Sequence, residues 1–104
     1  MRQEILTYNR SVTLRSNQTP RAFPDIKVNI TREFVHPHPL VLDIEYLAPS
    51  PNGSSGDTHD FSRVPEEIDY PFGDCPPLFK VVHKDAEART ISIELGDKVE
   101  LVRA

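Results

Sequence analysis

Apolar and polar residues alternate one by one along several stretches of this chain. In residues 25–34, Ile26, Val28 and Ile30 point one way and Lys27, Asn29 and Thr31 the other. Leu40, Leu42, Ile44 and Tyr46 then share a face opposite Val41, Asp43 and Glu45. A period of two residues is the signature of a strand half-buried against a core. The last quarter, Leu78 to Arg103, holds three further runs: Phe79, Val81 and His83, then Ile91, Ile93 and Leu95, then Val99 and Leu101. Short polar breaks separate them, so this quarter predicts an antiparallel meander with one apolar and one wet face. Near the N-terminus two short apolar runs, Ile5-Leu6-Tyr8 and Val12-Leu14, flank Asn9-Arg10. Asparagine tolerates positive φ, and this arrangement predicts a hairpin.

No segment carries a helical period, and ten prolines against four glycines argue against long helices. Pro65-Glu66-Glu67 is the one place where a single helical turn is expected, near residues 65–70. The predicted fold is all-β: a small antiparallel β-sandwich or partly open barrel of about seven to eight short strands. One domain over 1–104 fits the length. Within it, residues 47–65 contain Pro49, Ser50, Pro51, Asn52, Gly53, Ser54, Ser55 and Gly56 and read as a long flexible loop. His36-Pro37-His38-Pro39 reads as an extended connector or sheet edge, because alternate prolines cannot sit in a central strand.

Charge refines this picture only mildly. The net charge is −4, with a basic excess in residues 1–35 (Arg2, Arg10, Arg15, Arg21, Lys27 and Arg32 against Glu4, Asp25 and Glu33) and an acidic excess after them. A nucleic-acid binder normally shows a concentrated basic stripe, so nucleic acid is not the expected partner. A basic-plus-acidic chain instead suits head-to-tail contact with a copy of itself or with another protein. No stretch approaches the roughly 20 apolar residues of a membrane span, so no membrane partner is expected. The single cysteine, Cys75, rules out an internal disulfide and reads as a small packed residue rather than a nucleophile. With no signal-peptide pattern at Met1–Arg10, the expected compartment is cytoplasmic. One feature points outside the cell: Asn9, Asn17, Asn29 and Asn52 all stand in Asn-x-Ser/Thr triplets, the glycan acceptor motif of secreted chains.

Candidate chemistry is sparse. His36 and His38, two apart in an extended segment, project to one side, and His59 in the loop adds a third imidazole. Neutral imidazoles reach a metal at about 2.0–2.1 Å, so these three are the candidate ligands of a divalent metal, which belongs to the alternative reading; the cofactor expectation is otherwise none. Asp43 with Glu45, and Glu66, Glu67 and Asp69, read as solvated carboxylates. There is no phosphate-binding glycine loop and no nucleophile elbow, and no catalytic residue is assigned. The function expected first is therefore a non-enzymatic protein-interaction or scaffold module, soluble and self-associating or partnered. Its candidate contact residues are Arg10, Arg15, Arg21, Phe61, Tyr70 and Phe72. A small metal-dependent enzyme built on His36, His38 and His59 is the alternative. A nucleic-acid-binding β-barrel using the basic N-terminal third is the second alternative.

Overall fold

The computed structural model describes residues 2–46, 55–71 and 77–103, and Asn52, Phe72 and Cys75 lie outside them. The described residues form nine strands and one 3₁₀ turn: β1 (Gln3–Thr7), β2 (Val12–Ser16), β3 (Ile26–Arg32), β4 (Leu40–Tyr46), β5 (Ser55–Asp60), the turn Phe61–Arg63, β6 (Glu67–Ile68), β7 (Phe79–Asp85), β8 (Thr90–Leu95) and β9 (Val99–Arg103). They make two antiparallel sheets, one of order β1-β8-β7-β6 and one of order β5-β4-β3-β2-β9. This is an all-β sandwich, as the alternation predicts.

The apolar set of each strand faces the space between the sheets. Ile26, Val28 and Ile30 of β3 are buried with Leu42, Ile44 and Tyr46 of β4 and Val12 and Leu14 of β2. The first sheet contributes Leu6, Ile68, Phe79, Ile91, Ile93 and Leu95 to the same core cluster. Area removed from water at about 25 cal/mol per Å² makes this two-layer burial the main stabilising term.

Strand pairing departs from the local expectation at both ends. β1 does not form a hairpin with β2. It pairs with β8, Thr7 opposite Thr90, while β2 pairs with β3 and β9 in the other sheet. Asn9 does take positive φ, at 62°, but Arg10 does not. A two-residue hairpin of type I′ needs positive φ at both central residues. The chain instead leaves the sheet: Tyr8 bridges Ile30, and the Asn9 amide donates to the Ile30 carbonyl at 2.8 Å. The C-terminal meander is likewise split. β7 and β8 form a hairpin, and Gly96-Asp97 then passes the chain to the second sheet, where β9 pairs with β2.

A β-bulge between Val81 and His83 also changes which side chains look inward. An extra residue in one strand reverses the alternation beyond it. Phe79 and Val81 face the core, but His83 lies opposite Ser92 and is exposed, whereas Lys84 lies opposite the buried Ile91. The Lys84 ammonium ends against the 3₁₀ turn, donating to the carbonyls of Phe61 and Ser62 at 3.2 Å each.

Two local expectations are corrected between residues 47 and 70. Residues 55–60, expected in the loop, form β5, which pairs with β4 along its length from Val41–Asp60 to Tyr46–Ser55; residues 47–54 lie outside the described part. The single helical turn sits at Phe61–Arg63, earlier than expected. Asp60 fixes its start, accepting from the Ser62 amide at 3.1 Å and the Ser62 hydroxyl at 3.0 Å. Glu67 and Ile68 are extended instead, because Ile68 is buried and pairs with Phe79.

Candidate interaction site

The turn between β3 and β4 presents the most exposed apolar surface among the described residues. Phe34 is 96% exposed and Val35 71%. The rule of alternation ends here for a simple reason: two adjacent apolar residues cannot both face one core from an extended strand. β3 stops at Arg32, and the chain turns back through Val35–His38.

This tip is held by the backbone and by its own polar groups. The Glu33 amide donates to the Pro39 carbonyl at 3.0 Å and the His38 amide to the Val35 carbonyl at 2.8 Å. His38 takes positive φ, at 58°, and its Nδ1 bonds the Glu33 carbonyl at 3.0 Å. Arg32 donates from its guanidinium to the His38 carbonyl at 3.1 Å. The segment is thus a closed turn and not the extended connector expected. Its polar groups face one another, and its two apolar side chains are left to solvent.

The tip shares one end of the sandwich with three other loops. The Tyr8–Ser11 crossing lies against Ile30. The 3₁₀ turn follows Asp60, which pairs with Val41. The β7–β8 turn places Arg89 over the Tyr8 ring, 4.3 Å from its centroid.

The candidate metal ligands do not converge. His36 and His38 are both on the tip, exposed, with ring centroids 5.8 Å apart and planes at 90°. His59 is on edge strand β5, opposite Leu42. Among the described residues no group of three or more His, Cys, Asp or Glu side chains is placed to hold a metal ion.

The candidate contact residues are scattered. Arg10 is exposed at the tip end. Arg15 and Arg21 are at the other end and are both engaged by Asp25. Arg15 holds it through two bonds of 3.2 Å, and Arg21 adds one of 3.4 Å. The Arg15 hydrogen bond holds the Asp25 carboxyl below its usual range. Phe61 is buried, at 6% exposure, because the 3₁₀ turn points its ring into the core. Tyr70 packs in an aromatic group, its ring 6.0 Å from Phe23 and 5.9 Å from Tyr46. Phe72 lies outside the described residues. The basic residues of the N-terminal third do not form one face either. Arg2 donates to the Gly96 carbonyl, Arg32 serves the tip, and Lys27 projects from β3 opposite Glu45.

Of the four Asn-x-Ser/Thr triplets, Asn9 is exposed in its turn and Asn17 donates to the Asp97 carbonyl at 3.0 Å. Asn29 is half-buried, and Asn52 lies outside the described residues. No helix among the described residues is long and apolar enough to cross a membrane.

Sequence reasoning missed Phe34 and Val35 because β3 was expected to run on towards Phe34. The adjacent pair Phe34-Val35 immediately before His36-Pro37 was the available signal. No family model, no curated protein and no solved structure matches this chain.

Proposed function

We propose that this chain is a non-enzymatic protein-interaction module whose contact surface is centred on the β3–β4 tip. The observation that carries the reading is Phe34, 96% exposed on a turn held by its own hydrogen bonds. An exposed aromatic on a pre-formed turn has the character of an interface anchor: it offers apolar area, and little backbone ordering remains to be done on binding. Val35 widens the apolar contact. His36, Arg32 and Arg10 supply a polar rim, the arrangement typical of interfaces.

The test replaces Phe34 with a photo-crosslinking residue and, as a control, places the same residue at the exposed Val82. The expected result is a protein adduct from position 34 and none from position 82. The captured protein, once identified and purified, should bind the native chain at least tenfold more tightly than the Phe34→Ser variant. Equal adducts at both positions, or unchanged affinity in Phe34→Ser, would overturn the reading.

A further inference from the structure

We infer that the open edge of β1 is a self-association site: two copies of this chain pair their β1 strands antiparallel about Ile5 and join their first sheets into one. This surface is separate from the tip, and the inference does not depend on Phe34.

Among the described residues the two sheets end in four edge strands, β1 and β6 in one, β5 and β9 in the other. An uncovered edge is a template for another strand, and proteins guard such edges with short strands, charges, proline or bulges. β6 is two residues long. β5 carries Asp57, His59 and Asp60, and β9 carries Glu100 and Arg103. β1 reads Gln-Glu-Ile-Leu-Thr, and its one charged side chain, Glu4, is already bound to Arg103 at 2.9 Å. It holds no lysine and no proline, and its pairing with β8 runs without a bulge.

The ladder fixes which groups this edge leaves open. The Leu95 amide donates to the Arg2 carbonyl at 2.9 Å, so Arg2 and Leu95 are a hydrogen-bonded pair. Such pairs alternate along an antiparallel ladder. Glu4 and Leu6 therefore bond to β8, while Gln3, Ile5 and Thr7 turn their amides and carbonyls away from it. Of these outward groups, the Thr7 carbonyl alone has another partner among the described residues, the Arg10 amide at 3.3 Å. Ile5 is also 53% exposed. It lines an open cavity of about 450 Å³ with Gln3, Glu4, Ser92 and Arg103. The Glu4–Arg103 ion pair leaves that cavity without net charge.

A second β1 complements this edge. The register that overlaps all five residues sets Ile5 against Ile5, Glu4 against Leu6 and Gln3 against Thr7. The outward amides and carbonyls of Gln3, Ile5 and Thr7 then meet as hydrogen-bonded pairs. The two exposed isoleucines cover each other across the strands, and no like charges are opposed. The same patch is used on both copies, so the contact is isologous and closes as a two-fold dimer. Two short strands bury little area, so association is weak and is measured at chain concentrations up to about 1 mM.

The experiment uses the full chain and two variants at the exposed position, Ile5→Lys and Ile5→Glu, with thermal melting to verify that both fold. In sedimentation equilibrium the native chain is expected to form a dimer and nothing larger. Either variant alone should lose at least about tenfold in association constant, because like charges then face each other. An equimolar mixture of the two should recover one-to-one pairing, since a register centred on Ile5 sets the substituted positions face to face. Phe34→Ser should dimerise like the native chain. In the native chain, hydrogen exchange at the Gln3 and Ile5 amides should slow as concentration rises, and the Glu4 and Leu6 amides, already bonded to β8, should change less. A native chain that stays monomeric, a dimer that survives both charged substitutions, a mixture that stays apart, or a dimer lost in Phe34→Ser would each overturn the inference. So would slowed exchange at Ile5 only in the presence of a different protein, which would assign the edge to a foreign strand.

Discussion

The Tyr46 hydroxyl donates a 3.2 Å hydrogen bond to Asp57 Oδ2, joining β4 to the edge strand β5. Burial of the ring, then the charge and hydrogen bond of Asp57, push the Tyr46 phenol well above the ordinary tyrosine range. In the unfolded chain the same phenol releases its proton near pH 10. The folded pKa is raised, so the contribution is fully present below about pH 10 and is lost as pH rises further. Tyr46→Phe should cost about 1 kcal/mol at neutral pH. It should also flatten the decline of stability above pH 10, measured by urea unfolding at stepped pH. An unchanged alkaline decline in the variant would disprove this.

Asp25 titrates in the opposite sense. The Arg15 hydrogen bond lowers its folded pKa, so the stability it contributes is present above the unfolded value near 3.9 and lost as pH falls. Asp25→Asn should melt lower than the native chain at pH 7. The gap should narrow progressively as pH falls below the unfolded value, as the Asp25 carboxylate takes up its proton.

Asn29 Oδ1 is buried with no hydrogen-bond partner among the described residues, on the face of β3 away from the core. An unsatisfied buried acceptor costs about 1–3 kcal/mol. Asn29→Val, which suits a strand and removes the acceptor, should raise stability by about 1 kcal/mol in denaturant titration. A loss of that size would mean that the oxygen is satisfied.

Gly96 sits where β8 turns towards the second sheet. A Cβ built on it would collide with the Pro77 carbonyl oxygen and press on that of Leu78 at 3.2 Å. Its amide already donates to the Leu78 carbonyl at 2.9 Å, so the two backbones cannot separate without losing that bond. Gly96→Ala should therefore destabilise the fold by about 1–3 kcal/mol.

Two phenylalanines should behave in opposite ways. Phe34→Ser should change stability by no more than about 0.5 kcal/mol, since the ring touches almost nothing. Phe79→Ala, at a fully buried ring, should cost about 3–5 kcal/mol. Melting curves of the two variants side by side decide this.

What the sequence made legible was the set of strands whose apolar faces carry the core. Ile26-Val28-Ile30 and Leu42-Ile44-Tyr46 announce themselves because burial on one face imposes a period of two. Less visible was anything held by backbone pairing alone. β5, Ser-Gly-Asp-Thr-His-Asp, has no apolar face, and its place follows from hydrogen bonds to β4. Partner choice was hidden for a different reason. Whether β1 pairs with β2 or with β8 is settled by a strand more than eighty residues further along, which no local run of residues announces. The bulge at Val82 was invisible too, because one extra residue leaves the run Phe79–Asp85 looking like an ordinary strand while reversing His83 and Lys84. The tip escaped because its importance lies in what it leaves uncovered, and an apolar residue in a sequence reads first as core.

The passage of the chain between sheets after β1 and again after β8 also governs how it can fold in time. Thr7 waits for Thr90, and Val12 for Arg103. Neither sheet can be completed from the first half of the chain. During synthesis the β2–β3–β4 ribbon can assemble early, but β9, which pairs with β2, and β8, which pairs with β1, emerge long after it. A fold dominated by such distant pairings belongs to the slow class, forming in about milliseconds to seconds. On a ribosome the second sheet stays open until β9 has left the exit tunnel.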